Sequence, residues 1–457
     1  MLDKLFKITE RGSTVKTEVL GGMTTFMTMA YIIVVNPAIL SFAGFPVEPA
    51  TIATICTSIF GCLLMAFYAN LPLAVAPYMG ENAFIAFGLA AMHISWQQRL
   101  GAVFISGLLF LLMAVLKIRP WLAAAISFSM KQSFAAGIGL FLTFIGLYET
   151  GIVVSGAKGL PVEALVIPGS ALLKGPEVPV KIGDFHDPKV LLAVFGFILI
   201  CALLQRRVKG AILIGIAVTA AIGCFLGFGE TPQAVFAMPF QGSYSLDAIA
   251  FKMDLPGILK LSYMPILLTL FLMSFLDTLG TLVGVGSAGN MLDKDGNFPE
   301  IEKPMIVDAA ACTFSSIIGS STSGAFIESA AGIREGARTG LAALVIAGFF
   351  TLSLFFLPLI TPLQKLTFAY APALMAVGLL MISSISRINL EDLSEAVPAF
   401  TTIIIIIFSY NIANGLTAGL VLYPLFKIFA GKHYEIHPGS YLMAALCLIY
   451  YVFGLPH

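Results

Sequence analysis

The sequence predicts an all-α polytopic membrane protein with 14 transmembrane segments, arranged as two inverted 7-segment repeats. Three observations predict it. Of 457 residues, 58% are hydrophobic and 11% charged, whereas a water-soluble domain has about 45–50% and about 25%. Fourteen apolar runs follow one another, most of them near the roughly 20 residues that a helix needs to cross the hydrocarbon. The third run of each half is interrupted, and paired interruptions at corresponding places mark folds built from inverted repeats.

In order along the chain, the first 18 residues are polar and charged. They lack the apolar core and small-residue cleavage site of a signal peptide, so insertion falls to the first run. The first seven runs cover 19–40, 51–68, 72–92, 100–116, 132–149, 189–204 and 210–228. The second seven cover 262–284, 305–321, 322–334, 339–360, 367–385, 396–410 and 412–430. A leftover apolar stretch, Tyr441 to Phe453, is short for a crossing and reads as a re-entrant, interfacial or tilted terminal helix. With the N-terminus in the cytoplasm, 17 Lys and Arg residues fall inside and 8 outside, the inside group including Lys4, Lys7, Arg11, Lys117, Arg119, Arg206, Arg207, Lys209, Arg334, Arg338 and Arg387. That bias satisfies the positive-inside rule. The long connections at about 150–188 and 230–261 then face outward as loops.

The two interrupted runs share a plan. In Asn70-Leu71-Pro72-Leu73-Ala74-Val75-Ala76-Pro77-Tyr78-Met79-Gly80, the two prolines forbid a continuous helix. An extended stretch feeding a half-helix from about Gly80 is expected. Gly319-Ser320-Ser321-Thr322-Ser323-Gly324 has poor helix preference and leads into Ala325-Phe326-Ile327-Glu328, again extended and then helical. Backbone outside a helix at membrane depth must line a cavity or be buried in protein. A binding site is expected where the two interruptions meet.

Composition also excludes. Lys plus Arg (25) balances Asp plus Glu (25), leaving no basic excess for nucleic acid. Cys56, Cys62, Cys201, Cys224, Cys312 and Cys447 sit in apolar runs without metal-ligand spacing and read as packing thiols. His93, His186, His433 and His437 are scattered, so no metal site is expected. The phosphate-cradling Gly-x-x-x-x-Gly-Lys-Ser/Thr loop is missing, as is His-Glu-x-x-His. No cofactor is expected.

Carboxyls inside apolar runs are few: Glu81, Asp277, Glu328 and, nearer run ends, Glu149 and Asp308. An acid at bilayer depth is costly, so its default reading is functional. Asp277 stands mid-helix with Ser274 and Thr281 a turn away. Glu328 falls in the first turn of the second half-helix, where a ligand-binding role competes with simple capping. Asn82, in the matching place, offers one acceptor and two donors to a planar heterocycle. Glu81 divides between the site and a dipole partner, and Asp308 and Glu149 read as interface or capping acids. Arg334, Glu335 and Arg338 read as a solvated, orientation-setting cluster, and Gly280, Gly284, Gly286 and Gly289 as close helix contacts.

Longer stretches carry a resemblance. Thr17-Glu18-Val19-Leu20-Gly21-Gly22-Met23-Thr24-Thr25-Phe26-Met27-Thr28-Met29-Ala30-Tyr31-Ile32-Ile33-Val34-Val35-Asn36-Pro37, Met79-Gly80-Glu81-Asn82-Ala83-Phe84, Asp277-Thr278-Leu279-Gly280-Thr281 and Phe326-Ile327-Glu328-Ser329-Ala330-Ala331-Gly332-Ile333-Arg334-Glu335-Gly336 resemble the second nucleobase:cation symporter family. The similarity is to its azaguanine-type purine permease branch. The resemblance implies a core domain (12–117 and 262–360) and a gate domain (118–261 and 361–457). It implies proton-driven uptake of hypoxanthine, guanine or adenine, in the inner membrane of a bacterium and often as a homodimer. Matched motif by motif, the acids of segments 8 and 10 are Asp277 and Glu328, and the asparagine of segment 3 is Asn82. Two departures stand out: many relatives resemble a pattern with a further acid at Ser274 and an apolar residue at Glu81. Glu81 is therefore expected to replace the missing acid in part.

The combined expectation is a transporter, not an enzyme. A neutral purine would lie among Asn82, Asp277, Glu328, Phe84, Phe326, Thr281, Ser329 and Glu81, with Asp277 or Glu328 carrying the proton. The carboxylates would accept ring N–H bonds, while Phe84 or Phe326 contacts the ring face. The rivals are the same architecture carrying uracil, xanthine or another small solute, a related anion carrier, an intramembrane acid–base enzyme and a non-transporting sensor.

Overall fold

The computed structural model describes residues 2–89, 94–116, 121, 125–156, 180–229, 232, 234–260, 263–288, 291 and 301–453. Gly289, His93, Lys117, Arg119 and the middle of the 150–188 connection lie outside the described residues. Nine described helices are long and apolar enough to cross a membrane. They are segments 1 (Val15–Ser41), 2 (Val47–Ala69), 4 (Trp96–Val115), 5 (Phe128–Glu149), 6 (Pro188–Gln205), 8 (within Met264–Ala288), 11 (Gly340–Gln364), 12 (Thr367–Arg387) and 14 (Ile412–Phe429). Segments 7 (Ala211–Phe225), 9 (Glu302–Ile318) and 13 (Leu393–Phe408) are shorter. Segments 3 and 10 are the interrupted pair, which completes fourteen. The leftover stretch forms a helix, Pro438–Phe453, that packs on segment 14.

Local chemistry sets the ends. Thr14, Ser95, Ser127, Asp187, Thr339, Asp392 and Asn411 each accept a first-turn N–H at the start of a segment, supplying donors with the partners that the helix cannot. Segment 1, read as one run, is two helices, Val15–Met29 and Ile32–Ser41. Pro37 lacks the N–H that would reach back to Ile33. The freed Ile33 carbonyl accepts instead from Gln364 Nε2 of segment 11, at 3.0 Å.

Segments 1, 2, 4, 8, 9, 10 and 11 pack on one another, and strand β1 (Val75–Pro77) of segment 3 packs among them. Segments 5, 6, 7, 12, 13 and 14 pack on one another in turn. Within the first group the backbones approach closely. The α-carbon of Gly332 lies against the Gly21 carbonyl and the Thr25 hydroxyl, where no side chain fits. A separate hairpin of β2 (Val153–Ser155) and β3 (Val180–Ile182) lies in the connection after segment 5. The last strand, β4 (Ser323–Ala325), belongs to segment 10 and pairs with β1.

Candidate functional site

The two interruptions meet as an antiparallel strand pair, with Val75 opposite Ala325, Ala76 opposite Gly324 and Pro77 opposite Ser323. Tyr78 N–H donates to the Thr322 carbonyl and Phe326 N–H to the Ala74 carbonyl, both at 2.9 Å. This pairing satisfies the backbone that the prolines and the glycine- and serine-rich stretch keep out of helices, as lipid-free burial demands. The strands are wholly buried. Ser329 Oγ accepts the Ala74 N–H at 3.0 Å and so clamps the pair from the segment 10 side.

Short helices leave the strands. Segment 3 continues as Met79–Ala83 and then a wider π turn to Gly88. Segment 10 continues as Ser329–Arg334. Glu328 therefore stands at the N-cap position, one residue ahead of the first turn expected for it, and its side chain makes no capping bond. It accepts a hydrogen bond from Tyr31 Oη at 2.8 Å instead. Tyr31 lies just after the break in segment 1 and is buried.

Segment 8 faces an opening. Asp277, Gly280, Thr281 and Gly284 are at least partly exposed on a helix whose neighbouring positions Phe275, Leu276, Thr278, Leu279 and Leu282 are buried. The spacing i, i+3, i+4, i+7 makes one stripe. Among the described residues, nothing lies within 4 Å of the space beside Gly280, and only Ile327 approaches Gly284. Those two glycines thus border a cleft, in place of the close helix contact expected of them. Ile327 is exposed and Glu328 half-exposed, so segment 10 supplies the facing wall. Asp277 and Thr281 stand on the segment 8 side of this cleft, and Glu328 lies beside Ile327 on the segment 10 side.

The other expected residues lie deeper. Asn82 is fully buried, and its Nδ2 donates to the side-chain and main-chain oxygens of Asn36. Asn36 Nδ2 in turn reaches Thr54 Oγ1 at 2.7 Å, and Ser321 Oγ reaches Asn36 Oδ1 at 3.2 Å, which knits segments 1, 2, 3 and 10. Phe84 is fully buried beside Gly88 and faces no opening. Phe326 is buried, its ring nearly parallel to that of Tyr78 at 4°, with centroids 6.4 Å apart. Glu81 is fully buried and accepts from Ser274 Oγ at 2.8 Å, so its carboxyl occupies the neighbourhood of position 274.

Asp308, read from sequence as an interface or capping acid, is fully buried in the same region. Its Oδ2 accepts from Thr278 at 2.9 Å, Ala325 N–H at 3.0 Å and Tyr78 Oη at 3.3 Å. Sequence reasoning missed Tyr31 and Tyr78, whose roles depend on contacts 297 and 200 residues away in the chain. Arg338 does more than set orientation: its Nη1 donates to the Ile333 and Ala337 carbonyls at 2.7 Å, closing the end of the segment 10 helix. In segment 4, Arg99 does the same for segment 3, reaching the carbonyls of Ile85, Ala86 and Ile94. Among the described residues, no group of three or more His, Cys, Asp or Glu side chains is arranged to hold a metal ion.

Residues 16–417 match the model of a permease family. A putative permease of Methanocaldococcus jannaschii is 41% identical over 99% of this chain and 98% of its own. The adenine permease AdeP of Escherichia coli is 36% identical over 99% and 96%. The guanine/hypoxanthine permease PbuO of Bacillus subtilis is 35% identical over 97% and 99%. Among solved structures, the transmembrane domain of a cyanobacterial bicarbonate transporter, BicA, superposes with a TM-score of 0.62 at 15% identity, covering 88% of this chain and 97% of that one. This last likeness concerns the fold alone and agrees with the inverted-repeat architecture.

Proposed function

The chain belongs to the permease family whose model it matches, and on that premise we propose that it is a secondary transporter importing purine nucleobases by proton symport. Hypoxanthine, guanine and adenine are the candidate substrates. The observation that carries this reading is the cleft in which Asp277 of segment 8 faces segment 10, where Glu328 is held by Tyr31. The adenine and guanine/hypoxanthine permeases among its relatives support this substrate class.

A purine presents N–H donors along one edge. Two carboxylates on facing segments accept such donors, and charge-assisted bonds are roughly twice as strong as neutral ones. Thr281 offers a further hydroxyl on the Asp277 face. Tyr78 and Phe326 stand behind the strand pair and fix its shape, while Asn82 positions segment 3 through Asn36. An analogue lacking a matching N–H strands a buried acceptor, at about 1–3 kcal/mol.

Residues 12–117 and 262–360 form the core that carries the base, and 118–261 and 361–457 the gate against which it moves. The separate packing of the two groups of segments supports this division. Alternating access follows when the core slides or rocks and the cleft opens to the other side. The N-terminus faces the cytoplasm in this reading, and a homodimer would hold the gate steady in the bilayer.

Uptake of labelled hypoxanthine, guanine and adenine into purine-transport-deficient cells tests the proposal, with and without a protonophore and with Glu328→Ala alongside. Saturable uptake abolished by both treatments is expected. Membrane-inserted protein that takes up none of the three bases overturns it.

A further inference from the structure

Beneath the cleft lies a second pair of acids that substrate binding does not use. Glu81 and Asp308 are both 0% exposed. Each has one oxygen engaged and one bare: Glu81 Oε2 accepts from Ser274 and Asp308 Oδ2 from three donors, while Glu81 Oε1 and Asp308 Oδ1 meet no donor by geometry among the described residues. The Thr322 hydroxyl faces Glu81 and is likewise unpartnered by geometry. From the elements packed around it, Glu81 is faced by Asp277 of segment 8 and by Asp308 and Cys312 of segment 9, with Tyr78 on its own segment. No cation reaches either acid among the described residues.

Two uncompensated carboxylates in such a place are strongly disfavoured. Asp308 has what an anion needs, since three donors converge on a single oxygen. Among the described residues Glu81 has one settled donor, Ser274, and one hydroxyl facing it, Thr322. The Thr322 hydroxyl can donate to the ionised carboxyl or accept from the protonated one, so the pair serves both protonation states, as a reversible proton carrier requires.

We propose that the coupling proton resides on Glu81, with Asp308 as a fixed neighbouring anion, and that Asp277 and Glu328 bind the base without carrying the proton. The inference rests on the transport reading above and replaces the sequence expectation that Asp277 or Glu328 is the coupling group. Its logic is a division of labour. An ionised carboxyl accepts N–H bonds more strongly than a neutral one, and Glu328 already acts as an acceptor toward Tyr31. When the base enters the cleft it displaces water near Asp277, and repulsion between Asp277 and an ionised Glu81 strengthens as the local dielectric falls. A proton on Oε1 relieves that repulsion. Base and proton then favour each other's binding, which is the coupling that symport requires.

The test has two readouts on purified, reconstituted protein. The first needs no substrate: infrared titration of the protonated-carboxyl C=O band. Wild type is expected to show a band that titrates with pH, Glu81→Gln to lack it, and Glu81→Asp to restore one at a displaced midpoint. The second is the affinity for hypoxanthine against pH, expected to weaken by about tenfold per pH unit once Glu81 ionises, the slope of one linked proton. That slope is expected to flatten in Glu81→Gln and to return in Glu81→Asp. A band that survives in Glu81→Gln but vanishes in Asp277→Asn or Glu328→Gln overturns the proposal, as does an affinity that follows Na+ with no pH slope. If wild type binds none of the bases, the substrate reading fails, and the infrared band still decides the place of the proton.

Discussion

Glu328 and Tyr31 show how one residue's setting decides its role. The glutamate is carried by the strand-to-helix junction of segment 10, and the tyrosine reaches it only because segment 1 breaks at Ala30 and Tyr31. Removing the negative charge with Glu328→Gln takes away a charge-assisted bond, worth about 1.5–3 kcal/mol, so purine affinity is expected to fall at least tenfold in an equilibrium binding assay. Tyr31→Phe removes a single bond that orients the carboxylate and is expected to weaken binding about fivefold, near 1 kcal/mol. Unchanged affinity in the glutamine variant would move the base elsewhere in the fold. Sequence alone made Glu328 legible through scarcity, since an acid within an apolar run has few bland explanations. Tyr31 was illegible, because an aromatic in an apolar run reads as packing until its partner is known.

At the scale of elements, the strand pair is the feature on which the site depends. Gly324 lies directly against the Tyr78 hydroxyl and ring, leaving no room for a side chain. Gly324→Ala is expected to push Tyr78 away from Thr278 and Asp308 and to cost about 1–3 kcal/mol through overpacking. A lower Tm of the purified protein and weaker base binding should follow; a wild-type Tm would show that the crossing has slack. A second contact links the two groups of segments. Asn411 Nδ2 donates to the Gly88 carbonyl at 3.0 Å. Beside it, the Tyr410 ring packs edge-on against Phe87, Phe141 and Phe144. Tyr410 holds this place with a left-handed backbone, φ 53°, which a non-glycine residue adopts only when its surroundings require it. Tyr410→Ala is expected to loosen this end of the bundle and raise the reactivity of a cysteine placed at Phe87 toward a membrane-impermeant thiol reagent. Equal labelling in both backgrounds would show that the contact seals nothing.

Across the whole molecule, polar chemistry divides between a buried core and a charged rim. At the rim, Lys427 is 4% exposed and pairs with Glu435 at 2.7 Å and Glu395 at 2.9 Å, while Lys432 pairs with Asp392 at 2.7 Å. These pairs tie the starts of segments 5 and 13 to the end of segment 14 and to the turn before the final helix, with Ser127 donating to Glu395 at 2.7 Å. The hydrogen bond from Lys432, helped by Ser394, holds the Asp392 carboxyl down from 3.8 to about 2. A depressed carboxyl favours the fold above its unfolded value and loses that contribution as pH falls through the folded one. Tm is therefore expected to be flat near neutrality and to drop between about pH 4 and pH 2, with a smaller drop in Lys432→Ala. An identical acid profile in that variant would place the sensitivity on other groups.

Much of this architecture was legible before any coordinate. Composition and run lengths determined a polytopic helical membrane protein, because only helices and closed barrels satisfy their backbone in hydrocarbon and runs of about 20 residues fit the helix. Prolines at 72 and 77 and the hydroxyl-rich stretch at 319–324 determined where helices must stop, since those limits are local and steric. Scarcity of charge singled out Asp277, Glu328 and Glu81. The tertiary structure alone decided that Asp277 and Glu328 stay partly exposed while Glu81 is sealed in the packing. It turned Asn82 toward Asn36, placed Phe84 in the packing, joined Glu81 to Ser274 and raised Asp308 from a helix-end acid to a partner of the strand pair. The physical reason is distance along the chain. The contacts that assign these roles span from 17 to nearly 300 residues, and no periodicity within one segment specifies which face of another it will meet.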